Sequence, residues 1–270
     1  EIARAKSFFT EPPYAALDHA ASQSALAAKT SDNPIFGNWV KRNTVEHRVD
    51  GYRIVNISLK ATGFAPGDIT DTQLELAADL ADDFSFGEIR TTHQQNLVLA
   101  DVQMDQLYPL WLRLQSAGLA TPNLGYLTDM ICCPGGDYCS LANAKSIPVA
   151  EAIQSRFDDL DYLYDLGPIE LNISGCMNAC GHHHIGHIGI LGVDKKGQEF
   201  YQVCLGGSQS KDASIGKILG PSFGQEDMPD VIEKLLDTYV ALREEDEIFL
   251  DTYRRVGIAP FKERVYAKAD

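Results

Sequence analysis

The first part of the chain changes between two periodicities of apolar and polar positions. GYRIVNISLK, Gly51 to Lys60, alternates as a half-buried strand does, whereas TDTQLELAADLADDF, Thr70 to Phe84, has leucines at helical spacing. Two short strands are predicted on either side of Thr92 to Gln95, and a second helix over Met104 to Ala117. This order of strand, helix, two strands and helix predicts a compact α+β half-domain.

The chain beyond Thr121 has a different pattern. Helices are predicted directly after Cys139 and from Met228 to about Glu244, and strands near Ile169–Ile173, Ile188–Val193 and Phe200–Leu205. Residues 1–34, rich in alanine around an EPPY turn, are predicted to be a linker or extension with one short helix. The predicted boundaries are therefore 1–34, 35–120 and 121–270.

Composition and charge limit the possible partners. With 270 residues, 44% of them hydrophobic, the chain can bury a core as one large domain or two small ones. Its apolar runs are shorter than the roughly 18 residues of a membrane span, and no charged-then-apolar leader opens it, so a cytoplasmic location without a membrane partner is expected. Because the first residue is Glu1 and not methionine, the chain is expected to be a processed or excised piece of a longer one. The net charge of −15 argues against nucleic acid, and an enzyme acting on small anions would need a local basic cluster.

Six cysteines are the main candidates for chemistry: Cys132, Cys133, Cys139, Cys176, Cys180 and Cys204. A disulfide framework fits poorly, because such frameworks belong to small secreted domains. Zinc is an alternative, with Cys176, Cys180, His184 and His187 as its ligands. Only three residues separate Cys180 from His184, however, whereas zinc modules usually have a spacer of about a dozen residues between ligand pairs.

An iron–sulfur cluster suits the two cysteine pairs better, because its thiolate ligands can come from separate loops. Glycines flank both pairs and allow backbone N–H groups to approach the sulfurs. The predicted ligand set is Cys133, Cys139, Cys176 and Cys180. Cys132 and Cys204 have apolar neighbours and are predicted to be small buried hydrophobic residues.

The motifs CPGGDYC and SGCMNACG resemble the C-x5-C and C-x3-C signature of the sulfite and nitrite reductase haemoproteins. The resemblance continues through IRTTHQQNLVLADV, CSLANAKSIPVAEAI and YQVCLGGS, and covers most of the chain from about Asn38. It implies an α+β fold: a ferredoxin-like half-repeat followed by an α/β cluster-binding domain of the sulfite reductase haemoprotein type. The carboxy-terminal half of bacterial sulfite reductase is the most similar part of the family.

The resemblance also implies cofactors and site residues. The cofactors are a 4Fe-4S cluster and sirohaem, and by motif position Cys180 is the thiolate that bridges the cluster to the sirohaem iron as its axial ligand. Arg90, Gln95 and Asn96 match the family pattern R-x-T-x-x-Q-N, which implies cofactor binding, although Arg90 is also readable as an ordinary strand-end arginine. Asn178 is a cofactor-binding candidate or a loop-shaping residue. Four histidines, His182, His183, His184 and His187, are proton-donor candidates or structural groups.

The implied activity is the six-electron reduction of sulfite to sulfide. The implied partners are a small anion, sulfite or nitrite, an electron donor protein or flavoprotein, and an amino-terminal half that supplies the basic substrate-binding residues. Three alternatives stay open: a nitrite reductase, a subunit of a dissimilatory reductase, and a non-catalytic electron-transfer or scaffold protein that has lost sirohaem.

Overall fold

The protein divides into two compact units in the computed structural model, which describes residues 1–7 and 11–267. The first unit comprises Glu1–Ile57, Ile69–Thr92 and Leu97–Ala120, and the second comprises Ser58–Asp68, His93–Asn96 and Thr121–Asp270. Two short segments predicted for the half-domain thus belong to the second unit. Polar contacts explain part of this membership, since the Ser58 hydroxyl donates to Asn123 Oδ1 at 2.7 Å.

The first unit contains a four-stranded antiparallel sheet in the order β1-β2-β4-β3. Its strands are β1 (Thr44–Glu46), β2 (Tyr52–Ile57), β3 (Arg90–Thr91) and β4 (Leu97–Gln103). Its helices are α1 (Ile2–Lys6), α2 (His19–Asp32), α3 (Pro34–Asn43), α4 (Asp71–Phe84) and α5 (Leu107–Ser116). The predicted order of strand, helix, two strands and helix corresponds to β2, α4, β3, β4 and α5.

Local sequence explains where α4 begins. Thr70 and Gln73 form a capping box, in which each side chain bonds the backbone N–H of the other residue. The extension at the start of the chain differs from the prediction of a linker with one short helix, because α2 alone has 14 residues. Its alanine content favours helix, and the Asp18 side chain caps it by accepting from Ala21 N at 3.0 Å.

The second unit contains a five-stranded sheet whose strands lie side by side in chain order. They are β5 (Ile131–Cys132), β6 (Leu171–Ser174), β7 (Ile188–Asp194), β8 (Glu199–Leu205) and β9 (Lys217–Ile218). The first three are parallel, and β8 and β9 are antiparallel to their neighbours. Its helices are α6 (Ile147–Arg156), α7 (Leu160–Leu166), α8 (Met228–Leu242), α9 (Phe249–Val256) and α10 (Ala259–Tyr266).

A single apolar core holds the second unit together. Ile173, Ile190 and Val203 from three adjacent strands are fully buried, as are Ile153 of α6 and Leu235 of α8. The register is therefore fixed, since a one-residue slip would move these apolar side chains to the opposite face of the sheet and bring neighbours such as Asn172 into their place. Within the described ranges, no helix is both long and apolar enough to cross a membrane.

Candidate functional site

The two loops that carry the paired cysteines leave the sheet at the carboxyl ends of adjacent strands. The first cysteine loop, residues 133–146, follows β5, and the second cysteine loop, residues 175–182, follows β6. Because β5 and β6 are parallel, with Cys132 opposite Ile173, their carboxyl ends lie at the same edge of the sheet. The topology therefore places Cys133 and Cys176 at the start of two neighbouring loops.

Glycine allows these loops to come into backbone contact. A Cβ at Gly175 would lie 2.6 Å from the Ala144 carbonyl oxygen and 2.8 Å from Gly135 Cα, closer than any side chain tolerates. The Gly175 carbonyl accepts hydrogen bonds from Asn143 N at 2.8 Å and from Ala144 N at 3.0 Å. The spacing between the two cysteine loops is thus fixed by backbone atoms rather than by adjustable side chains.

The sulfur atoms occupy different environments. Cys133 Sγ accepts a hydrogen bond from Gly175 N at 3.0 Å and lies 3.4 Å from the Ser146 hydroxyl. Cys133 and Cys176 are buried, Cys139 is half-buried and Cys180 is exposed, and none of the four is in a disulfide. Hydrogen bonds from the backbone to sulfur stabilise negative charge on a thiolate. The arrangement suits sulfurs that act as anionic ligands.

The donor set favours a polynuclear cluster over a single ion. Within residues 1–7 and 11–267, no three His, Cys, Asp or Glu side chains are grouped as a metal-ion site. By that criterion neither the zinc set, Cys176, Cys180, His184 and His187, nor the set of four cysteines is grouped around one point. Two thiol pairs on facing loops, with a glycine cradle between them, fit a 4Fe-4S cluster, whose ligands lie apart from one another. The assignment of Cys133, Cys139, Cys176 and Cys180 as its four ligands stays a prediction.

The two remaining cysteines behave as the sequence predicts, as small buried residues. Burial raises the pKa of the Cys132 thiol far above its usual value. Burial also raises the pKa of Cys204 to about 11. Cys204 Sγ donates to the His183 carbonyl at 3.4 Å. Both thiols are protonated near neutral pH and serve packing.

Two amide side chains of the R-x-T-x-x-Q-N motif bind protein groups in the second unit. Gln95 Oε1 accepts from Cys132 N at 2.9 Å, and Gln95 Nε2 donates to the Cys132 carbonyl at 2.8 Å. Asn96 Oδ1 accepts from Leu59 N at 3.1 Å, and Asn96 Nδ2 donates to Asp129 Oδ1 at 2.9 Å. Gln95 therefore fixes the backbone next to Cys133. The cofactor-binding role predicted for Gln95 and Asn96 stays a prediction.

Arg90 and Asn178 are both exposed. Arg90 lies on β3, and its Nε donates to Glu88 Oε1 at 2.5 Å. It lines a cavity of about 680 Å³ in the first unit, together with Arg48. Asn178 lies in the second cysteine loop between Cys176 and Cys180. Their assignments to the cofactor also stay predictions.

The same cavity holds a cluster of titratable groups that sequence reasoning missed. Asp101, 3% exposed, accepts from the Tyr14 hydroxyl at 2.6 Å and lies 3.2 Å from His47 Nε2. Burial is the main cause that raises the pKa of Tyr14, and its hydrogen bond to Asp101 adds to it. No local pattern links these three positions, because 87 residues separate Tyr14 from Asp101.

The histidines after Cys180 do not share one environment. His183 is partly buried, and desolvation, followed by the charge of His184, lowers the pKa of His183 to about 4. His187 precedes β7, and its Nδ1 accepts from Glu170 N at 3.2 Å. Burial lowers the pKa of His187. Since Glu170 and His187 lie at the amino ends of β6 and β7, His187 is at the sheet edge opposite the start of the cysteine loops. The roles of the four histidines stay predictions.

A buried lysine is the second feature that the sequence did not reveal. Lys60 has a fully buried side chain, and its Nζ lies 3.4 Å from Asp129 Oδ1. The ammonium also donates to the Gln94 carbonyl at 2.5 Å. Burial lowers the pKa of Lys60, while Asp129 acts in the opposite direction. The predicted strand Gly51 to Lys60 gave no sign of this, since Lys60 lies beyond the end of β2.

Two family models match the chain. Residues 126–270 match the nitrite and sulphite reductase 4Fe-4S domain, and residues 47–117 match the nitrite/sulfite reductase ferredoxin-like half domain. These matches confirm the predicted fold class and the 4Fe-4S cluster, and the predicted sirohaem is consistent with the same family.

Curated relatives and a solved structure are similar over most of the chain. Sulfite reductase [ferredoxin] 2 of Mycolicibacterium paratuberculosis is 31% identical over 76% of this chain and 39% of its own length. Ferredoxin–nitrite reductase of Synechococcus elongatus is 29% identical over 63% of this chain and 34% of its own length. The structure of the Mycobacterium tuberculosis NirA protein has a TM-score of 0.67 and 28% identity, and the match covers 80% of this chain and 40% of that one. The chain thus spans between about a third and two-fifths of the length of these three proteins.

Proposed function

The chain belongs to the nitrite and sulphite reductase 4Fe-4S domain family, and on that premise we propose that it is the cluster-bearing part of a sirohaem-dependent sulfite reductase. One observation carries the proposal. The C-x5-C and C-x3-C motifs lie on two loops that leave adjacent parallel strands at one edge of the sheet, and Gly175 N bonds Cys133 Sγ across them. That arrangement supports an anionic sulfur at Cys133 and brings the second motif next to the first.

The four thiols share one role in this proposal, and one of them has a second. Cys133, Cys139, Cys176 and Cys180 hold the 4Fe-4S cluster. Cys180 is exposed, so it is the one of the four that would also be available to hold the sirohaem. When bound, the cluster and sirohaem supply electron storage and an iron that binds substrate. The two cysteine loops would position the cluster through their backbone contacts.

Arg90 is the residue of the first unit that we assign to the sirohaem carboxylates. Its guanidinium is exposed and planar, and Arg48 lines the same cavity, which provides a second cation. Arginine suits this role because its donors match a carboxylate in pairs. The Glu88 partner of Arg90 would have to exchange for the cofactor carboxylate.

The substrate that we propose is sulfite, because the 31% identical relative is a sulfite reductase. Nitrite is the second candidate, favoured by the 29% identical nitrite reductase. Both named relatives use ferredoxin, so a ferredoxin-type donor is proposed as the electron source. The net charge of −15 opposes the approach of either anion. Basic substrate-binding residues are therefore proposed to come from an amino-terminal half of the same enzyme.

The visible spectrum tests the proposal most directly. The chain is combined with an amino-terminal half of a homologous reductase, reconstituted with iron, sulfide and sirohaem, and separated from free cofactor. We expect the bands of sirohaem in addition to the broad absorption of the cluster, and sulfide production from sulfite. A protein that binds the cluster but never sirohaem would instead be an electron-transfer or scaffold protein. Faster turnover of nitrite than of sulfite would favour the second candidate.

A further inference from the structure

Lys60 is the one lysine or arginine that is buried among the described residues, with 1% of its surface exposed. Burying an ammonium group is costly unless it is paired and hydrogen-bonded. Lys60 satisfies both conditions, because its Nζ faces the Asp129 carboxylate and two oxygen acceptors, the Gln94 carbonyl and Asn96 Oδ1. Because burial of this charge is costly, a role for the buried Lys60 ammonium is worth seeking among its neighbours.

The neighbours of Lys60 lead to the first cysteine loop in three steps. Lys60 bonds the carbonyl of Gln94, the side chain of Gln95 makes two hydrogen bonds to the backbone of Cys132, and Cys132 is bonded covalently to Cys133. The Lys60 ammonium also lowers the pKa of the Cys132 thiol against the larger effect of burial, which places the charge within electrostatic range of the strand end. Lys60 is therefore connected through Gln94, Gln95 and Cys132 to the residue at which the first cysteine loop begins.

Asp129, the counter-ion of Lys60, is also held by hydrogen bonds. Asp129 Oδ1 accepts from Asn96 Nδ2 at 2.9 Å, and Asp129 Oδ2 accepts from Gly125 N at 2.9 Å. Asp129 itself lies two residues before β5. Both charges of the pair are thus held by hydrogen bonds next to β5, the strand from which the first cysteine loop begins. Neither side chain is free to change position when the charge of the loop changes.

We infer that Lys60 and Asp129 form a fixed charge pair that sets the reduction potential of the cluster bound by the cysteine loops, with Lys60 raising the potential and Asp129 lowering it. The inference rests on the proposed function. Reduction adds an electron to an already anionic cluster, so a nearby cation stabilises the reduced form and a nearby anion destabilises it. The low dielectric of a buried site makes both effects larger than those of surface charges. Lys60 is accordingly a positioning residue and not a ligand.

The test uses the full 270-residue chain with its reconstituted cluster and measures the midpoint potential by EPR-monitored redox titration. Lys60→Met is expected to lower the midpoint, with about a tenfold change in the ratio of reduced to oxidised cluster at a fixed potential, or about 59 mV for one electron. Asp129→Asn is expected to raise it. The double variant, which removes both charges, is expected to return close to the unsubstituted chain. Lys262→Met, which removes a charge from an exposed side chain in the second unit, is the matched control and is expected to cause no shift.

A purely structural role predicts a different result. It would lower iron content or thermal stability in both single variants, and it gives no reason for their potentials to move in opposite directions. Equal midpoints in Lys60→Met, Asp129→Asn and the unsubstituted chain, with equal iron content, would overturn the inference and leave the proposed function standing. If the Lys60→Met variant takes up no iron, the Asp129→Asn variant alone tests the inference. A midpoint potential of Asp129→Asn at or below that of the unsubstituted chain overturns it. An unsubstituted chain that binds no cluster would overturn the proposed function and this inference with it.

Discussion

The backbone N–H of Gly175 donates a hydrogen bond to Cys133 Sγ at 3.0 Å. The donor belongs to the second cysteine loop and the acceptor to the first, so one short contact joins the two motifs that the sequence separates by 42 residues. Gly175 also allows the close approach of Gly135 and Ala144. The geometry of both cysteine loops therefore depends on the absence of a side chain at residue 175.

Gly175→Ala is expected to separate the two loops. Its Cβ would meet the Ala144 carbonyl oxygen at 2.6 Å, and we expect a loss of about 2 kcal/mol in the free energy of unfolding, as is usual for overpacking. Urea denaturation and iron per chain after reconstitution measure the effect. Gly136→Ala is the matched control, because its nearest contact would be Lys145 Cγ at 3.4 Å. Similar losses in both variants would show that the close approach at Gly175 is unimportant.

Cys139→Ser is expected to lose most of the iron and acid-labile sulfide of the reconstituted chain. Cluster binding is linked to the folding of the loops that hold it, so the midpoint temperature of unfolding should also fall. Chemical analysis of iron and sulfide gives the result. Cys204→Ser should keep its cluster, because Cys204 is a buried, protonated thiol. Full iron content in Cys139→Ser would remove that residue from the ligand set.

Cys180→Ala tests the bridging role. In protein that holds both cofactors, we expect the substitution to abolish the magnetic coupling between cluster and sirohaem, which Mössbauer or EPR spectra detect. Met177→Ala, in the same loop and also exposed, should leave the coupling unchanged. Coupling that persists in Cys180→Ala would assign the bridge to another residue.

The 270-residue chain alone is expected to produce negligible sulfide from sulfite with a strong artificial electron donor. Each missing charge-assisted contact to a substrate costs on the order of 3 kcal/mol, or about a hundredfold in rate. Assays of the chain with and without an amino-terminal half measure this. Steady sulfide production by the chain alone, in proportion to its sirohaem content, would place the basic site within these residues, and Arg90 would be the first to substitute.

His183 is expected to make stability depend on pH. Its pKa of about 4 in the folded chain lies below the unfolded value of about 6.5, so the unfolded chain binds more protons between these values. Stability from this group is complete above pH 6.5 and decreases as the pH falls toward 4. His183→Asn should therefore lose less unfolding free energy than the unsubstituted apoprotein between pH 7 and pH 5, as measured by urea denaturation. Equal losses would indicate that His183 titrates normally.

The predictable part of the fold came from residues close in sequence. The spacing of leucines predicted α4, and alternation predicted β2. The strands predicted near Ile188–Val193 and Phe200–Leu205 match β7 and β8 to within a residue at each end. The helix predicted directly after Cys139 begins only at Ile147, because the first cysteine loop continues to Ser146. Lys60 and the Tyr14–Asp101 contact could not be predicted, since each depends on partners many residues away. The loop contact at Gly175 was predictable only as a tendency, because glycine permits a close approach without specifying its partner.

The two hydrogen bonds between Gln95 and the backbone of Cys132 have a consequence for association between chains. β5 is an outermost strand of its sheet, and an outermost strand offers unpaired N–H and C=O groups that can pair with another molecule. The Gln95 amide occupies both groups of Cys132 on that side, as a neighbouring strand would. The Gln95 side chain thereby prevents another strand from pairing with Cys132 at this edge of the sheet. Gln95→Ala would leave both backbone groups of Cys132 open to pairing with a strand of another molecule, next to the loop that begins at Cys133.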